Sequence, residues 1–369
     1  MIVQAPDGKF PVRGMLRQEL VEVLAGLGET EDRVRRLQTH VFKHRMDSFI
    51  GMEDISARSK DRMARVLDLD LPAVDARAMA EDGTRKYRVK FRDGSLIECI
   101  SMAYNGRRTL CLSTQAGCRM GCTFCATGAM GFARNLTAAE IVDQALVMLR
   151  DQPADRFNVV LMGMGEPLNN PEQLARALTI LVSPWGMDRG PRTVTVSTIG
   201  LLPALDELAA LRLGVNLSLS VTAAREDLRQ MLMPATRAWP LAQVFESIRR
   251  YPPEAFRSYI YSYVMFAGVN DQLTHARELA AALDGLPGYV NLIPMNPTPA
   301  SQYLPSSDET VSAFRNELFR LGRAAHPRYS KGRTIWAACG QLAGAALPMD
   351  TTTGAADGDA EAEVGASDS

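Results

Sequence analysis

The sequence predicts an α/β protein built on a parallel sheet that is either open or curled into a partial barrel. After Arg108, short apolar segments alternate with segments of helical periodicity about six times. This alternation is typical of parallel strands joined by crossover helices. With 369 residues, 46% of them hydrophobic, the chain is long and apolar enough to bury a large core.

The predicted strands and helices follow one another through this region. The candidate strands read TLCLST, FNVVLMG, TVTVST, GVNLSLS, YIYSYVMF and YVNLIP. The helical segments between them include TAAEIVDQALVMLR, PEQLARALTILV and THARELAAAL. In parallel sheets of this kind the chemistry lies at the carboxyl ends of the strands. The loop that follows TLCLST is therefore the first candidate site.

The first hundred residues predict a separate N-terminal part. Apolar residues recur at helical spacing between Glu31 and Leu67, which predicts short packed helices. KYRVKF and SLIECI alternate around Asp93-Gly94, which predicts a β-hairpin. A basic patch in RVRRLQTHVFKHR is either a solvated helix face or a nucleic-acid surface. Its members are Arg33, Arg35, Arg36, Lys43 and Arg45, with His40 and His44 beside them.

Charge and composition limit the classes of protein that remain. From Asp350 onward the chain has six acidic residues and no basic one, so the rest carries 41 basic against 36 acidic residues. The overall charge of −1 therefore does not exclude a nucleic-acid partner. No apolar run is long enough to cross a bilayer, and MIVQAPDGKF lacks the apolar core of a signal peptide. These features predict a cytoplasmic protein without membrane contact.

Half of the six cysteines stand in one short loop. GCRMGCTFCATG places Cys118, Cys122 and Cys125 in a CxxxCxxC spacing directly after the first predicted strand. A structural zinc site needs four ligands, and this loop offers three thiols and no histidine. Three thiolates can hold a [4Fe-4S] cubane and leave one iron open to an outside ligand. The loop therefore favours an iron–sulfur cluster over zinc and over a purely structural triplet.

The cysteine loop and five further segments resemble one known family. CxxxCxxC after the first strand, with Phe124 before the last cysteine, is similar to the signature of radical S-adenosylmethionine (radical SAM) enzymes. Over nearly its whole length the chain resembles the RlmN/Cfr family of RNA adenine methyltransferases. The segments that carry this resemblance are GCRMGCTFCATG, MGFARNLTAAEI, LMGMGEPLNN, VTVSTIGLLPAL, VNLIPMNP and AACGQLAG.

The resemblance implies a fold and a domain organisation. It implies the radical SAM partial (β/α)6 barrel, with a small N-terminal helical accessory domain. The implied parts are an RNA-contacting helical module at residues 1–84, a β-hairpin connection at 85–103 and a methyltransferase core at 104–346. The small, polar, acidic residues of 347–369 predict a disordered tail.

The resemblance also implies the cofactors. The three loop cysteines would hold a [4Fe-4S] cluster whose open iron binds SAM, and cleavage of SAM would give a 5'-deoxyadenosyl radical. Each turnover would use two SAM molecules, and a reductase or flavodoxin-type protein would donate electrons. The residues that match the family's SAM contacts are Gly165, Glu166, Ser197, Ser220, Val221, Thr222 and Asn296.

Three more residues match catalytic positions of the family. Cys339 matches the cysteine that first accepts a methyl group, and Cys111 matches the cysteine that later forms a disulfide with it. Glu98 matches the proposed proton acceptor. Without the resemblance both cysteines would be interpreted as buried small apolar residues, and Cys99 keeps that interpretation.

Some positions depart from the family pattern. Val221 and Thr222 stand where a Leu-His pair is common, so a histidine contact is absent. Ser262 stands where a glutamate is common, and residues 334–336 replace an acidic Asp-Ile-Asp run. None of these changes removes a cluster ligand or either mechanistic cysteine. They do leave the identity of the substrate undecided.

The resemblance implies a monomeric methyltransferase that modifies an adenine carbon in ribosomal RNA, with transfer RNA as a further candidate. Carbon 2 is favoured over carbon 8, because RlmN-type enzymes are the common branch. One alternative is a radical SAM-like RNA-binding protein without methyltransferase activity, which would need neither Cys111 nor Cys339. Another is a small-molecule radical SAM enzyme, which would leave the N-terminal module unexplained.

Overall fold

The structure is a computed structural model that describes residues 3–104, 106–299 and 301–343. The predicted disordered tail at 347–369 lies outside the described residues. Within them, no helix combines the length and the apolar character needed to cross a bilayer.

The N-terminal part is mainly helical. Its short strands β1 and β2 pair in parallel, and α2 continues into a π-helical turn at Thr39–Lys43. Apolar residues predicted at helical spacing, such as Val34, Leu37 and Met63, are buried, so the predicted helices are confirmed. The elements are β1 (Phe10–Pro11), α1 (Arg17–Gly26), α2 (Glu31–Gln38), α3 (Ala57–Ala64) and β2 (Leu67–Asp68).

One ten-stranded mixed sheet forms the centre of the molecule. Seven strands, β6 and β9 to β14, are all parallel, and β3, β4 and β5 extend one edge in antiparallel order. The strands are β3 (Ala73–Met79), β4 (Arg85–Lys90), β5 (Leu96–Tyr104), β6 (Arg107–Cys111), β7 (Gln115–Gly117), β8 (Phe132–Asn135), β9 (Phe157–Leu161), β10 (Val194–Thr198), β11 (Val215–Ser220), β12 (Phe256–Met265), β13 (Tyr289–Pro294) and β14 (Ala325–Pro327).

Helices connect successive parallel strands. The capping box of Thr137 and Glu140 fixes the start of α5, whose residues are almost all buried between the sheet and its neighbours. The helices are α4 (Ala126–Ala129), α5 (Ala138–Asp151), α6 (Pro171–Val182), α7 (Leu202–Ala210), α8 (Glu226–Leu232), α9 (Leu241–Arg250), α10 (Leu273–Ala282) and α11 (Asp308–Arg320).

The sheet order confirms the predicted partial barrel. Neighbouring strands follow the chain order, and the two outermost strands, β14 and β3, are not paired with each other. All six predicted core strands are present, and the predicted hairpin is the β4–β5 pair. The sequence missed β14, because its three residues are too few to show a pattern. β3 belongs to the large sheet although it lies within residues 1–84, the predicted N-terminal module. The boundaries predicted for the functional modules stay a prediction.

Buried ion pairs fasten the N-terminal part to the core. Arg13, just after β1, pairs with Asp143 on α5, and Arg176 on α6 pairs with Glu19 on α1. Gly14 packs so closely on α5 that a Cβ atom there would lie 2.9 Å from the backbone nitrogen of Ala139. The N-terminal part therefore lies against the helices that flank the strands carrying the candidate site.

Candidate active site at the carboxyl ends of the strands

The cysteine loop joins the short antiparallel strands β7 and β8. Gly117 permits this fold because it has a φ of +79°, and a Cβ atom there would lie 2.1 Å from the carbonyl oxygen of Gly131. The backbone N–H of Cys118 donates to that same carbonyl at 2.7 Å, and the N–H of Cys125 donates to the carbonyl of Cys122 at 3.1 Å. The loop is thus folded back on itself, with Cys125 directly before α4.

The three loop thiols lie near one another. Burial, with a smaller contribution from the nearby Cys125, raises the pKa of Cys118 to about 12. The pKa of Cys122 is raised well above its ordinary value by burial and by both other thiols. Desolvated thiols become thiolates when a cation binds them, and cysteine thiolates are the ligands of iron–sulfur clusters. The donor set therefore fits a [4Fe-4S] cluster.

The spacing of these thiols also matters for the choice of metal. In the part of the chain that the structure describes, no three His, Cys, Asp or Glu side chains gather closely enough to hold a single metal ion. Three thiolates on three different irons of a cubane stand further apart than three ligands of one ion.

Gly165 and Glu166 form the turn after β9. Gly165 has a φ of +101°, and a Cβ atom there would lie 2.6 Å from Cβ of Gln115, so only glycine fits. The buried carboxylate of Glu166 accepts the N–H groups of Leu168 and Ile199, both at 3.0 Å. Burial raises the pKa of Glu166 to about 7, and these hydrogen bonds oppose the shift. Glu166 therefore ties β9 to β10, and its oxygens keep lone pairs for a ligand cation.

The other predicted SAM contacts on this edge lie on β10 and at the end of β11. Ser197 and Ser220 are half-buried, and Val221 is fully buried. Ser262, where the family commonly has a glutamate, exchanges a 2.9 Å hydroxyl hydrogen bond with Ser218 instead. The hydroxyl groups of Ser218 and Ser262 therefore satisfy each other's hydrogen bonding.

Thr222 is strained and has a buried hydroxyl. Its φ is +60°, a conformation that a β-branched residue adopts only at a cost. Its carbonyl accepts Nδ2 of Asn270 at 2.7 Å, whereas its Oγ1 has no hydrogen-bond partner among the described residues. A strained residue with an unsatisfied hydroxyl at a strand end is a candidate ligand contact.

Cys339 lies near both Cys111 and the cysteine loop. Cys111 ends β6, and its pKa is raised to about 12 by burial and by the neighbouring Cys339. Cys339 reaches solvent, yet the surrounding protein raises its pKa to about 11, and nearby Cys125 contributes to this rise. All six cysteines are free thiols, so the structure does not contain the predicted Cys111–Cys339 disulfide.

Hydrogen bonds hold the segment that carries Cys339, residues 336–343, against the cysteine loop. The N–H of Ala126 donates to the carbonyl of Gly340 at 2.8 Å, and Oγ1 of Thr127 donates to the carbonyl of Leu342 at 2.6 Å. Nδ2 of Asn296 donates to the carbonyl of Cys339 at 3.1 Å. Asn296, predicted as a SAM contact, therefore also positions the Cys339 backbone.

Glu98 holds the same segment from the other side. Its Oε2 accepts the N–H of Ala343 at 3.0 Å, and its Oε1 lies 3.2 Å from Nζ of Lys86 in a fully buried ion pair. Nζ of Lys86 also donates to the carbonyl of Trp336 at 3.3 Å. Cys111 lies opposite Ile100, two residues from Glu98, so Cys111 and Glu98 leave the same face of the sheet.

The sequence did not indicate Lys86 as part of the site. In KYRVKF the charged residues alternate with Tyr87 and Val89, a pattern that predicts solvent-facing charges. The signal that could have found Lys86 is the hairpin register around Asp93-Gly94. That register pairs Lys86 with Ile100, two residues from Glu98, so Lys86 and Glu98 lie on the same face of the sheet.

The N-terminal basic patch is largely neutralised by neighbouring groups. Asp32 accepts from Arg35 and Arg36 at 2.6 Å each, and Lys43 pairs with Asp188 at 2.8 Å. The remaining two members are also engaged: Arg33 pairs with Glu29, and Arg45 donates to the carbonyls of Leu149 and Ala154. The solvated-face interpretation of this patch therefore gains support.

A basic cavity lies at the opposite end of β6. It has a volume of about 720 Å³ and is lined by Arg107, Arg108, Arg156 and Lys331, with Asp155 as the acidic lining residue. Within the described ranges, neither Arg107 nor Arg156 has a carboxylate oxygen within 4.0 Å. This cavity therefore offers less neutralised positive charge than the N-terminal patch.

The partial barrel, with a CxxxCxxC loop after its first parallel strand, defines a radical SAM protein. The family model of the radical SAM superfamily matches residues 112–280. The crystal structure of a radical SAM methyltransferase from Sphaerobacter thermophilus superimposes with a TM-score of 0.85 at 39% identity, covering 89% of this chain and 98% of that one.

The chain belongs to the RlmN family of dual-specificity RNA methyltransferases. It is 39% identical to dual-specificity RNA methyltransferase RlmN of Syntrophotalea carbinolica, over 92% of this chain and 91% of the relative. It is 41% identical to a probable dual-specificity RNA methyltransferase RlmN of Thermus thermophilus, over 80% of this chain and 84% of the relative. The predicted family is confirmed.

Proposed function

We propose that this protein methylates carbon 2 of an adenine in ribosomal RNA and in transfer RNA, through a methyl group carried on Cys339. The main supporting observation is the position of Cys339, near Cys111 and the cysteine loop, on a segment held by Glu98 and Asn296. The similarity to RNA methyltransferases supports RNA as the substrate class. Carbon 8 is the alternative target.

The proposed cofactors are the [4Fe-4S] cluster and SAM. When bound, they supply a methyl group and a hydrogen-abstracting carbon radical, with two SAM molecules used per turnover and electrons from a reductase or flavodoxin-type donor. This donor and a monomeric state stay predictions of the resemblance. The proposed cluster ligands are Cys118, Cys122 and Cys125, and the proposed SAM contacts are Gly165, Glu166, Ser197, Ser220, Val221, Thr222 and Asn296.

The chemistry explains why a cysteine carries the methyl group. Carbon 2 of adenine is an electron-poor sp2 centre that does not attack a sulfonium methyl group by displacement, whereas a carbon radical adds to it. Cys339 holds this carbon as a thioether on sulfur. Its solvent-accessible side chain allows a base to approach, and the hydrogen bonds to its segment fix where the base must be placed.

Cys111 and Glu98 complete the proposed cycle. Glu98 accepts the ring proton, and its carboxylate is held in place by Nζ of Lys86 at 3.2 Å and by the N–H of Ala343 at 3.0 Å. Once the adduct has given up its unpaired electron, which the cluster would accept, the Cys111 thiolate attacks the Cys339 sulfur, which forms the disulfide and breaks the sulfur–carbon bond. The electron pair of that bond stays on the released carbon, which takes up a proton and becomes the methyl group of the adenine. A dithiol must then reduce the disulfide.

The proposed function is tested by mass spectrometry of nucleosides from ribosomal and transfer RNA. A deletion strain should lack 2-methyladenosine, and the wild-type gene, but not Cys339→Ala, should restore it. Restoration of 8-methyladenosine instead would favour the alternative target. If deletion changes neither nucleoside in either RNA, the proposal is wrong.

The proposed RNA-contacting role of residues 1–84 can be separated from that of the basic cavity. Because Arg35 and Arg36 already pair with Asp32, replacing both by alanine should change RNA affinity little. Arg107→Ala and Arg156→Ala should each flatten the slope of log affinity against log salt by about 0.7 to 0.9. RNA titrations at several salt concentrations measure both. The opposite order of effects would assign the phosphate contacts to the N-terminal patch.

A further inference from the structure

Arg229 on α8 is a fully buried cation that forms no salt bridge with any residue the structure describes. The other buried cations have carboxylate partners: Arg13 with Asp143, Arg176 with Glu19 and Lys86 with Glu98. Among the described residues, no carboxylate oxygen lies within 4.0 Å of the Arg229 guanidinium.

The hydrogen bonds of Arg229 go to neutral carbonyl groups. Nη2 donates to the carbonyl of Ile199 at 2.7 Å and Nη1 to the carbonyl of Trp239 at 3.4 Å, while Nε has no partner in the described part of the chain. Glu226 on the same helix directs its Oε1 to the backbone N–H of Leu241. A buried guanidinium without an ion pair is costly, and among the described residues Glu226 compensates its charge only from beyond 4.0 Å, so a further anion beside Arg229 would stabilise it.

The packing of α8 brings Arg229 close to the cysteine loop, whose thiolates would supply negative charge. The carbonyl of Leu232, in the last turn of α8, accepts both the N–H and the Oγ1 of Thr123, at 3.0 and 3.3 Å. Thr123 follows Cys122 directly, and Arg229 lies one helical turn before Leu232. Burial lowers the pKa of Arg229 to about 10, and Glu226 and Cys122 oppose the shift, so the guanidinium stays charged at neutral pH.

We propose that Arg229 is the counter-cation of the cluster held by Cys118, Cys122 and Cys125, and that its charge raises the reduction potential of that cluster. A [4Fe-4S] core with three thiolates is anionic, and reduction adds one more negative charge. A buried cation nearby stabilises the reduced form more than the oxidised form. This inference rests on the proposed cluster. Arg229 would act on it electrostatically, from a position beside Cys122, without binding iron.

The carboxylate of Glu166 is a second source of negative charge near the proposed cluster. Glu166 lies near Cys118 and Cys122, where its negative charge disfavours reduction. The Ile199 backbone links the two groups, because its N–H binds Glu166 and its carbonyl binds Arg229. Arg229 therefore offsets the negative charge that Glu166 brings close to the cluster.

The test is a redox titration of anaerobically reconstituted protein, followed by electron paramagnetic resonance without SAM. Arg229→Met should lower the ratio of reduced to oxidised cluster at a fixed potential about tenfold, which is 59 mV for a one-electron couple. Arg229→Lys should stay near the wild type, because it keeps the charge. If Arg229→Met does not fold, Arg229→Gln provides the same comparison and keeps a donor for Ile199.

Arg176→Met is the matched control. It also removes a buried arginine, but one paired with Glu19 on the N-terminal part, so its cluster potential should match the wild type. An unchanged potential in Arg229→Met with full iron content would overturn the inference and leave the cluster assignment intact. Wild-type protein that binds no iron would overturn both.

Discussion

Replacing Cys111 by alanine is expected to stop turnover and to leave the protein covalently joined to RNA through Cys339. Cys111 is the thiol proposed to break the bond between the Cys339 sulfur and the methylene carbon. Without it, methyl acceptance and addition to the base can proceed, but release cannot. A denaturing gel should show a protein band that shifts upward with RNA and returns after ribonuclease treatment.

Cys339→Ala is expected to stop turnover without forming this adduct. The variant has no methyl acceptor, whereas its cluster ligands are unchanged, so iron content should equal that of the wild type. Cys99→Ala is the matched control, because Cys99 is buried on β5 and has no proposed role. It should keep turnover and lose about 1 kcal/mol of unfolding free energy. Full turnover by Cys111→Ala or Cys339→Ala would contradict the assigned roles.

Replacing Cys118 by alanine is expected to abolish the cluster and every SAM-dependent step. Two remaining thiols cannot hold the cubane that three thiolates hold, and the burial of Cys122 disfavours a thiolate without a bound cation. Wild-type protein reconstituted anaerobically should bind about four irons and show broad visible absorbance. Iron analysis and the absorbance spectrum of the two proteins measure the loss.

Two results would contradict the cluster assignment. One is stoichiometric zinc in wild-type protein purified without oxygen, combined with no cleavage of SAM after reconstitution. The other is full iron content in Cys118→Ala. Cys99→Ala again serves as the control, since loss of a cysteine outside the loop should leave the iron content unchanged.

Much of the fold and the centre of the candidate site are local in sequence and could be predicted. The alternation of apolar strands with amphipathic helices predicted all six core strands, and Asp93-Gly94 predicted the β4–β5 hairpin. The cluster loop was found because its three cysteines lie within eight positions. Such patterns reflect backbone geometry and ligand spacing, which depend on neighbours in the chain.

The resemblance supplied the roles of Cys111, Cys339 and Glu98, which the residues alone did not indicate. An isolated cysteine or glutamate has the same appearance in a sequence whether it is catalytic or structural. Only the fold brings the end of β6 and the C-terminal segment together and buries Glu98 beside that segment. Their proximity is a long-range property of the sheet order.

The fate of the charged residues was decided by the tertiary structure alone. The sequence indicated a basic surface at Arg35, Arg36 and Lys43. In the structure Asp32 pairs with both arginines, and Asp188, which is distant in the chain, pairs with Lys43. The sequence also gave no sign that Arg229 is fully buried and, among the described residues, forms no ion pair with a carboxylate. A side chain's charge is fixed by its identity, whereas its solvation and partners depend on which distant surfaces cover it.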